Sequence, residues 1–133
     1  MFGNKKSNKP QNRIDSLIGP GTRIEGNLSF SGGLRVDGEI KGNVSSDEGQ
    51  PGTLVLGENA KIEGEIRVAH VVVNGTVVGP ISASESLELQ PNARVTGDVT
   101  YLCIEIQHGA IVQGRMTHLG HAKAVELKLA ASS

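Results

Sequence analysis

The sequence predicts an all-β fold, one parallel β-solenoid (β-helix) of about six turns with irregular tails at both ends, and three observations predict it. The pattern apolar, any, Gly, any, apolar recurs along the chain, with copies at residues 24–28, 36–40, 62–66, 73–77, 95–99 and 112–116. Three longer segments, residues 54–66, 87–99 and 104–116, align as apolar-x-apolar, three variable residues, Ala-x-apolar-x-Gly-x-apolar. Their starts at Leu54, Leu87 and Ile104 fit a repeating unit of about 17 residues with one copy intervening. Between them apolar and other residues alternate with period two, which is strand spacing. Repetition at a fixed short period is the mark of stacked units, each unable to bury its apolar face alone.

Residues 1–17 do not belong to the repeat. Lys5, Lys6, Lys9 and Arg13 stand against Asp15, a local charge of +3, in a stretch rich in Asn, Ser and Gln. Such composition cannot bury enough apolar surface to offset ordering, so a disordered basic tail is expected. The repeat region runs over residues 18–117, beginning near Ile18 to Ile24. Residues 34–44 and 71–81 keep strict alternation, Leu34-x-Val36-x-Gly38-x-Ile40-x-Gly42-x-Val44 and Val71-x-Val73-x-Gly75-x-Val77-x-Gly79-x-Ile81. The second begins one unit after Leu54 and supplies the copy missing between the longer segments. Residues 45–52, Ser-Ser-Asp-Glu-Gly-Gln-Pro-Gly, break the pattern and read as a surface loop. Residues 118–133 form a C-terminal tail, with Val125, Leu127 and Leu129 compatible with a strand or a short helix. Six turns at about 4.8 Å per turn give a rod on the order of 30 Å long.

The pentapeptide glycines share the parity of their apolar neighbours, so they are expected to point inward, where a side chain would crowd the axis and where Gly permits a tight bend. Glu25, Asn27, Asp37, Glu39, Glu63, Glu65, Thr96, Asp98, Gln113 and Arg115 have the opposite parity and face water. None of these carboxylates has the setting of a buried catalytic acid. One Tyr, two Phe and no Trp leave Val, Ile and Leu to fill a narrow interior.

The strings Leu34-Arg-Val-Asp-Gly-Glu-Ile-Lys-Gly42, preceded by Gly26-Asn-Leu-Ser-Phe-Ser-Gly32 and followed later by Ala93-x-Val95-x-Gly97-Asp98 and Gly109-Ala110-x-x-x-Gly114, resemble those of the bactofilins over about residues 14–117. The resemblance implies a bacterial cytoskeletal protein whose right-handed β-helical domain polymerises without nucleotide into filaments or sheets that scaffold cell-wall and polar machinery. Physics gives a separate reason to expect polymers, because an uncapped solenoid end exposes strand backbone and apolar side chains and no polar or helical cap is visible in the sequence; the alternative is that both tails fold over the ends. Stacking of like ends, which the resemblance suggests, makes Ile24, Leu28, Ile104, Ile106, Val112 and Met116 the candidate contacts. The resemblance also implies that the extreme N-terminus, Met1 and Phe2 beside Lys5 and Lys6, touches the cytoplasmic face of the inner membrane. Each Lys near an anionic surface contributes only about 1 kcal/mol, but a polymer multiplies weak tails. The expected partners are therefore other copies of the chain, the inner membrane surface and unknown cell-wall or polar clients.

The competing class is enzymatic. Leu56-Gly-Glu-Asn-Ala60-Lys-Ile62-Glu-Gly-Glu-Ile66 also resembles the hexapeptide repeat of left-handed β-helix acyltransferases. Those enzymes keep six-residue spacing through many coils and need a general-base His in a cleft, whereas the unit length here breaks a coil built of whole hexapeptides. His70, His108, His118 and His121 lack relay partners and read as exposed turn residues, and His118 with His121 offers only two ligands to a metal. Cys103, the single cysteine, forms no internal disulfide, suits a reducing cytoplasm and reads as packed between Leu102 and Ile104. The Gly-rich strings lack a phosphate-cradling lysine and lead into no helix, so no nucleotide or other cofactor is expected. The repeat region carries seven basic and twelve acidic residues with almost no aromatics, which argues against nucleic acid. No apolar run long enough to span a bilayer and no secretory signal are present, so a cytoplasmic, peripheral location is expected.

Overall fold

The computed structural model describes residues 14–47 and 51–119. All regular structure in them is β, in parallel strands stacked as six turns of a three-sided solenoid. The first side holds β1 (Ser16–Ile18), β4 (Gly33–Val36) and β7 (Thr53–Leu56). The second holds β2 (Arg23–Glu25), β5 (Glu39–Lys41), β8 (Lys61–Glu63), β10 (Thr76–Val78), β12 (Arg94–Thr96) and β14 (Ile111–Gln113). The third holds β3 (Leu28–Phe30), β6 (Val44–Ser46) and β15 (Met116–His118). The longer strands β9 (Ile66–Val73), β11 (Ile81–Leu89) and β13 (Val99–Ile106) each round one corner, giving their first half to the third side and their second half to the first side of the next turn.

Short strands leave one or two inward positions per side, and stacking aligns these into ladders. On the second side Ile24, Ile40, Ile62, Val77, Val95 and Val112 lie in one column. On the third, Leu28, Val44, Ile66, Ile81, Val99 and Met116 do the same. The first side contributes two columns, Leu34 through Ile104 and Ile18 through Ile106. Buried Val, Leu and Ile each stabilise the fold by about 1.5–3 kcal/mol, and like residues stacked at strand spacing fill the narrow interior without aromatics.

The corners set the register. Between the first and second sides, the longer corners close on themselves, as where Ala60 N donates to Gly57 O at 3.0 Å and Ala93 N to Gln90 O at 2.9 Å. Others are shorter, Asp37-Gly38 and Asn74-Gly75. A Cβ on Gly75 would lie 2.6 Å from Ala60 O, so the short corner nests on the long one only because that residue is Gly. Between the second and third sides every turn has a Gly: Gly26, Gly42, Gly64, Gly79, Gly97 and Gly114, all at left-handed φ from +131° to +158°. Two further copies of the pentapeptide, residues 40–44 and 77–81, complete this column, while the copies containing Gly38 and Gly75 belong to the other corner.

The crowding at this column differs from expectation. From the second turn on, a Cβ at each of these corner glycines would strike the carbonyl of the corner glycine one turn earlier. The constraint acts along the rod between turns, not inward across the core. The spacing also departs from a uniform repeat, since corner length varies: Ile62 pairs with Val77, a shorter step than the expected unit, and Ile40 pairs with Ile62, a longer one. The long interval contains the insertion before β7, which is shorter than expected because Ser45 and Ser46 are already in β6.

Candidate functional site

The two ends of the rod differ from its middle in one respect. The fully buried apolar core runs from Leu34 to Val99, and no residue of the first or last turn reaches that degree of burial. Ile62 in the second-side column is wholly buried, yet Ile24 at one end of that column and Val112 at the other are only half-buried. In the first-side column Leu56 is 0% exposed and Ile106 is 51% exposed. Met116, continuing a column of buried Val and Ile, is 37% exposed. Among the described residues the same inward geometry therefore yields core in the middle and less covered apolar side chains in both end turns, whose outer strand edges have no described strand beyond them.

All six predicted interface residues lie in these end turns. Ile24 (β2) and Leu28 (β3) sit in the first, while Ile104 and Ile106 (β13), Val112 (β14) and Met116 (β15) sit in the last. Sequence reasoning missed Ile18, which heads the column leading to Ile106 and packs against the core from the first turn. It was detectable as the apolar residue one unit before Val36. Leu17, Ile111 and Leu119 add exposed apolar surface in the same two turns or just beyond. Met1, Phe2, Lys5 and Lys6 lie outside the described residues, as does His121.

The other candidate side chains among the described residues lie on separate strands and corners. His70 is a partly buried strand residue in β9, its Nδ1 2.9 Å from Ser86 Oγ, and His118 lies in β15 with its ring 5.8 Å from that of Tyr101. Neither is the exposed turn residue expected, because the short corners put both on strands, whereas His108 is exposed in a corner. Cys103 is exposed, not packed, because it rounds the corner of the last turn. Among the described residues no three His, Cys, Asp or Glu are placed to hold a metal ion, and no helix is long and apolar enough to cross a membrane.

Polar order runs along the outside. Asn27 Oδ1 accepts from Asn43 N at 3.0 Å, and Asn43 Oδ1 from Glu65 N at 3.0 Å, so side-chain amides clamp successive corners. Arg35 grips Asp37 through two hydrogen bonds of 2.9 and 3.2 Å, and this raises the guanidinium pKa further above its ordinary value. Lys61 lies 3.1 Å from Glu63 and, by hydrogen bond and then by charge, holds that carboxyl below the usual range.

A family model described as bactofilin, polymer-forming cytoskeletal, matches residues 16–117, nearly the whole span of strands. The chain is similar to Bactofilin BacP of Myxococcus xanthus (strain DK1622), 30% identical over 112 residues that cover 84% of this chain and 45% of the relative. It is likewise similar to Bactofilin BacO of the same organism, 31% identical over 102 residues, 77% of this chain and 78% of that one. The chain thus spans less than half the length of the first of these relatives. No solved structure gives a significant match. With a three-sided parallel solenoid and a match that runs almost from its first strand to its last, the chain belongs to the bactofilin family of polymer-forming cytoskeletal proteins.

Proposed function

We propose that this chain is a non-enzymatic scaffold that assembles end to end, without nucleotide, into membrane-associated filaments that organise cell shape, cell-wall or polar machinery. The observation that carries the assembly is the pair of end turns, where columns buried in the middle stop with partly exposed apolar residues. Stacking a second copy on either end would bury Ile24 and Leu28, or Ile106, Val112 and Met116, and would pair the strand edges as every interior turn is paired. In this reading residues 18–117 are the polymerisation domain, flanked by residues 1–17 and 118–133. Met1, Phe2, Lys5 and Lys6 are the membrane-touching segment, on the cytoplasmic face of the inner membrane, where many weakly basic tails on one polymer act together.

High-speed pelleting and negative-stain microscopy of the purified chain in nucleotide-free buffer test the assembly. Filaments are expected, and a persistent monomer would overturn it. Replacing Phe2 in a fluorescent fusion tests the membrane segment, with loss from the cell periphery expected and unchanged peripheral signal contradicting it. Acyl transfer is the weaker reading: steps as unequal as Ile40 to Ile62 and Ile62 to Val77 do not keep the regular spacing of a hexapeptide coil, and His70 is held against Ser86.

A further inference from the structure

The second side of the solenoid carries a charge pattern that only the strand register makes visible. Its outward residues form two columns. One reads Arg23, Glu39, Lys61 and the other Glu25, Lys41, Glu63, turn by turn from the first. Each turn thus presents one base and one acid, and the order reverses at each step, giving a net-zero checkerboard over three turns. Three parallel strands fix these positions, so the array is rigid at its base. Arg23 is 61%, Lys61 47%, Glu63 38% and Glu39 27% exposed, and along the face Arg23 already pairs with Glu39 at 3.3 Å and Lys61 with Glu63 at 3.1 Å, pairs that a facing copy would share. Beyond it the same side continues as Thr76 with Val78, Arg94 with Thr96, and Ile111 with Gln113, where Val78 and Ile111 are exposed and the Arg94 guanidinium is tied to the carbonyls of Ala93 and Gly109.

The other two sides have no such array. The outward column of the third side is Ser29, Ser45, Arg67, Ser82, Thr100 and Thr117, and that of the first is Leu17, Arg35, Val55, Val72, Glu88 and Glu105.

We propose that this second side is a lateral pairing surface for a second copy of the chain, so that filaments associate side by side through it. The argument is charge complementarity. A two-fold axis parallel to the rod and lying between two such faces exchanges the two columns, so each turn's base meets the partner's acid in the same turn. Arg23 then faces Glu25, Glu39 faces Lys41, and Lys61 faces Glu63, in both directions. The remaining rows bring Thr76 to Val78, Arg94 to Thr96 and Ile111 to Gln113, with no like charges opposed. A net-zero array gives no attraction to a polyanion or an anionic surface, which leaves a surface of matching alternation as the occupant that fits. Each exposed pair contributes little, and repetition along two polymers makes the sum effective. The proposal rests on end-to-end assembly, which supplies that repetition.

Two centrifugation speeds separate the two readings, since high-speed pellets report filaments and low-speed pellets report bundles. Wild-type filaments should bundle in about 20 mM salt and disperse, still polymeric, in about 0.5 M salt, where screening acts within a few ångströms. An all-basic variant (Glu25→Lys, Glu39→Lys, Glu63→Lys) and an all-acidic variant (Arg23→Glu, Lys41→Glu, Lys61→Glu) should each form filaments that stay single. Mixing the two after separate polymerisation should restore bundles, a rescue that a merely structural role would not produce. Wild-type filaments that stay single in low salt, bundling unchanged in either variant, or variants whose mixture stays single would each overturn the proposal. Failure of all samples to pellet at high speed would instead overturn the end-to-end reading beneath it.

Discussion

At the residue scale the constraint on this fold is steric before it is hydrophobic. Gly64 adopts φ +152°, and a Cβ there would overlap the carbonyl oxygen of Gly42 in the turn before. Gly26 adopts a similar φ of +131° with nothing near a Cβ, because no described turn precedes it. Both substitutions to Ala strain the backbone by about 1–3 kcal/mol, and only Gly64→Ala adds a clash with main chain. Gly64→Ala should therefore lower the thermal midpoint clearly more than Gly26→Ala, as followed by circular dichroism, and equal losses would refute the turn-to-turn contact. The surface charges are local as well. Since Lys61 is the main cause of the depressed Glu63 pKa, Lys61→Gln should let it rise toward the ordinary carboxylate value, as read by carboxyl NMR titration. The sign follows: a depressed folded-state pKa favours the folded chain above the unfolded value and loses that contribution as pH falls through the folded one. For so exposed a pair the contribution is small, so acid should weaken this pairing without unfolding the rod.

At the element scale, each strand is too short to be stable alone, and a ladder position is worth what its neighbours above and below make it worth. Ile62 is covered on both sides, so Ile62→Lys would leave an uncompensated ammonium in the core, a cost of several kcal/mol against a total stability of about 5–15 kcal/mol. Ile106→Lys and Val112→Lys place the same charge at an open edge where water reaches it. The interior variant should lose its β circular dichroism signal. The end variants should keep it and sediment as small species instead of polymers, and polymers of undiminished length from both end variants would count against the last turn as a contact. Much of this is legible in the sequence, because alternation and the Gly pentapeptide identify the inward residues without reference to register. The register itself is not, because corners of different length and the insertion before β7 make the step from Ile40 to Ile62 longer than that from Ile62 to Val77. That is why His70 and His118 read as turn residues, and why Arg23, Glu39 and Lys61, unequally spaced along the chain, give no sign of sharing a column.

At the scale of the whole molecule the proposed end-to-end assembly has two arrangements, like ends together or unlike ends together, and the single cysteine distinguishes them. Cys103 is exposed in the last turn, paired below with Ser86, at one extreme of a rod of six turns. At about 4.8 Å per turn the rod is about 29 Å long. If last turns stack on last turns and first turns on first turns, spin labels on Cys103 fall into two sets. Facing turns bring two labels within about one solenoid width, while the next pair lies about two rod lengths away. If last turns stack on first turns, every label is about one rod length from its neighbours and no short distance exists. Both arrangements bury the same apolar columns, so burial alone does not choose between them. The backbone does distinguish them, since like ends meet as antiparallel edges and unlike ends continue the parallel ladder. Pulsed electron paramagnetic resonance on labelled filaments, diluted with unlabelled chains to isolate neighbouring pairs, should show the short-distance population expected for like-end stacking. A single distance near one rod length would reject that arrangement while leaving end-to-end assembly intact, and Cys103→Ser filaments of normal length would establish that the label site itself is not needed for the contact.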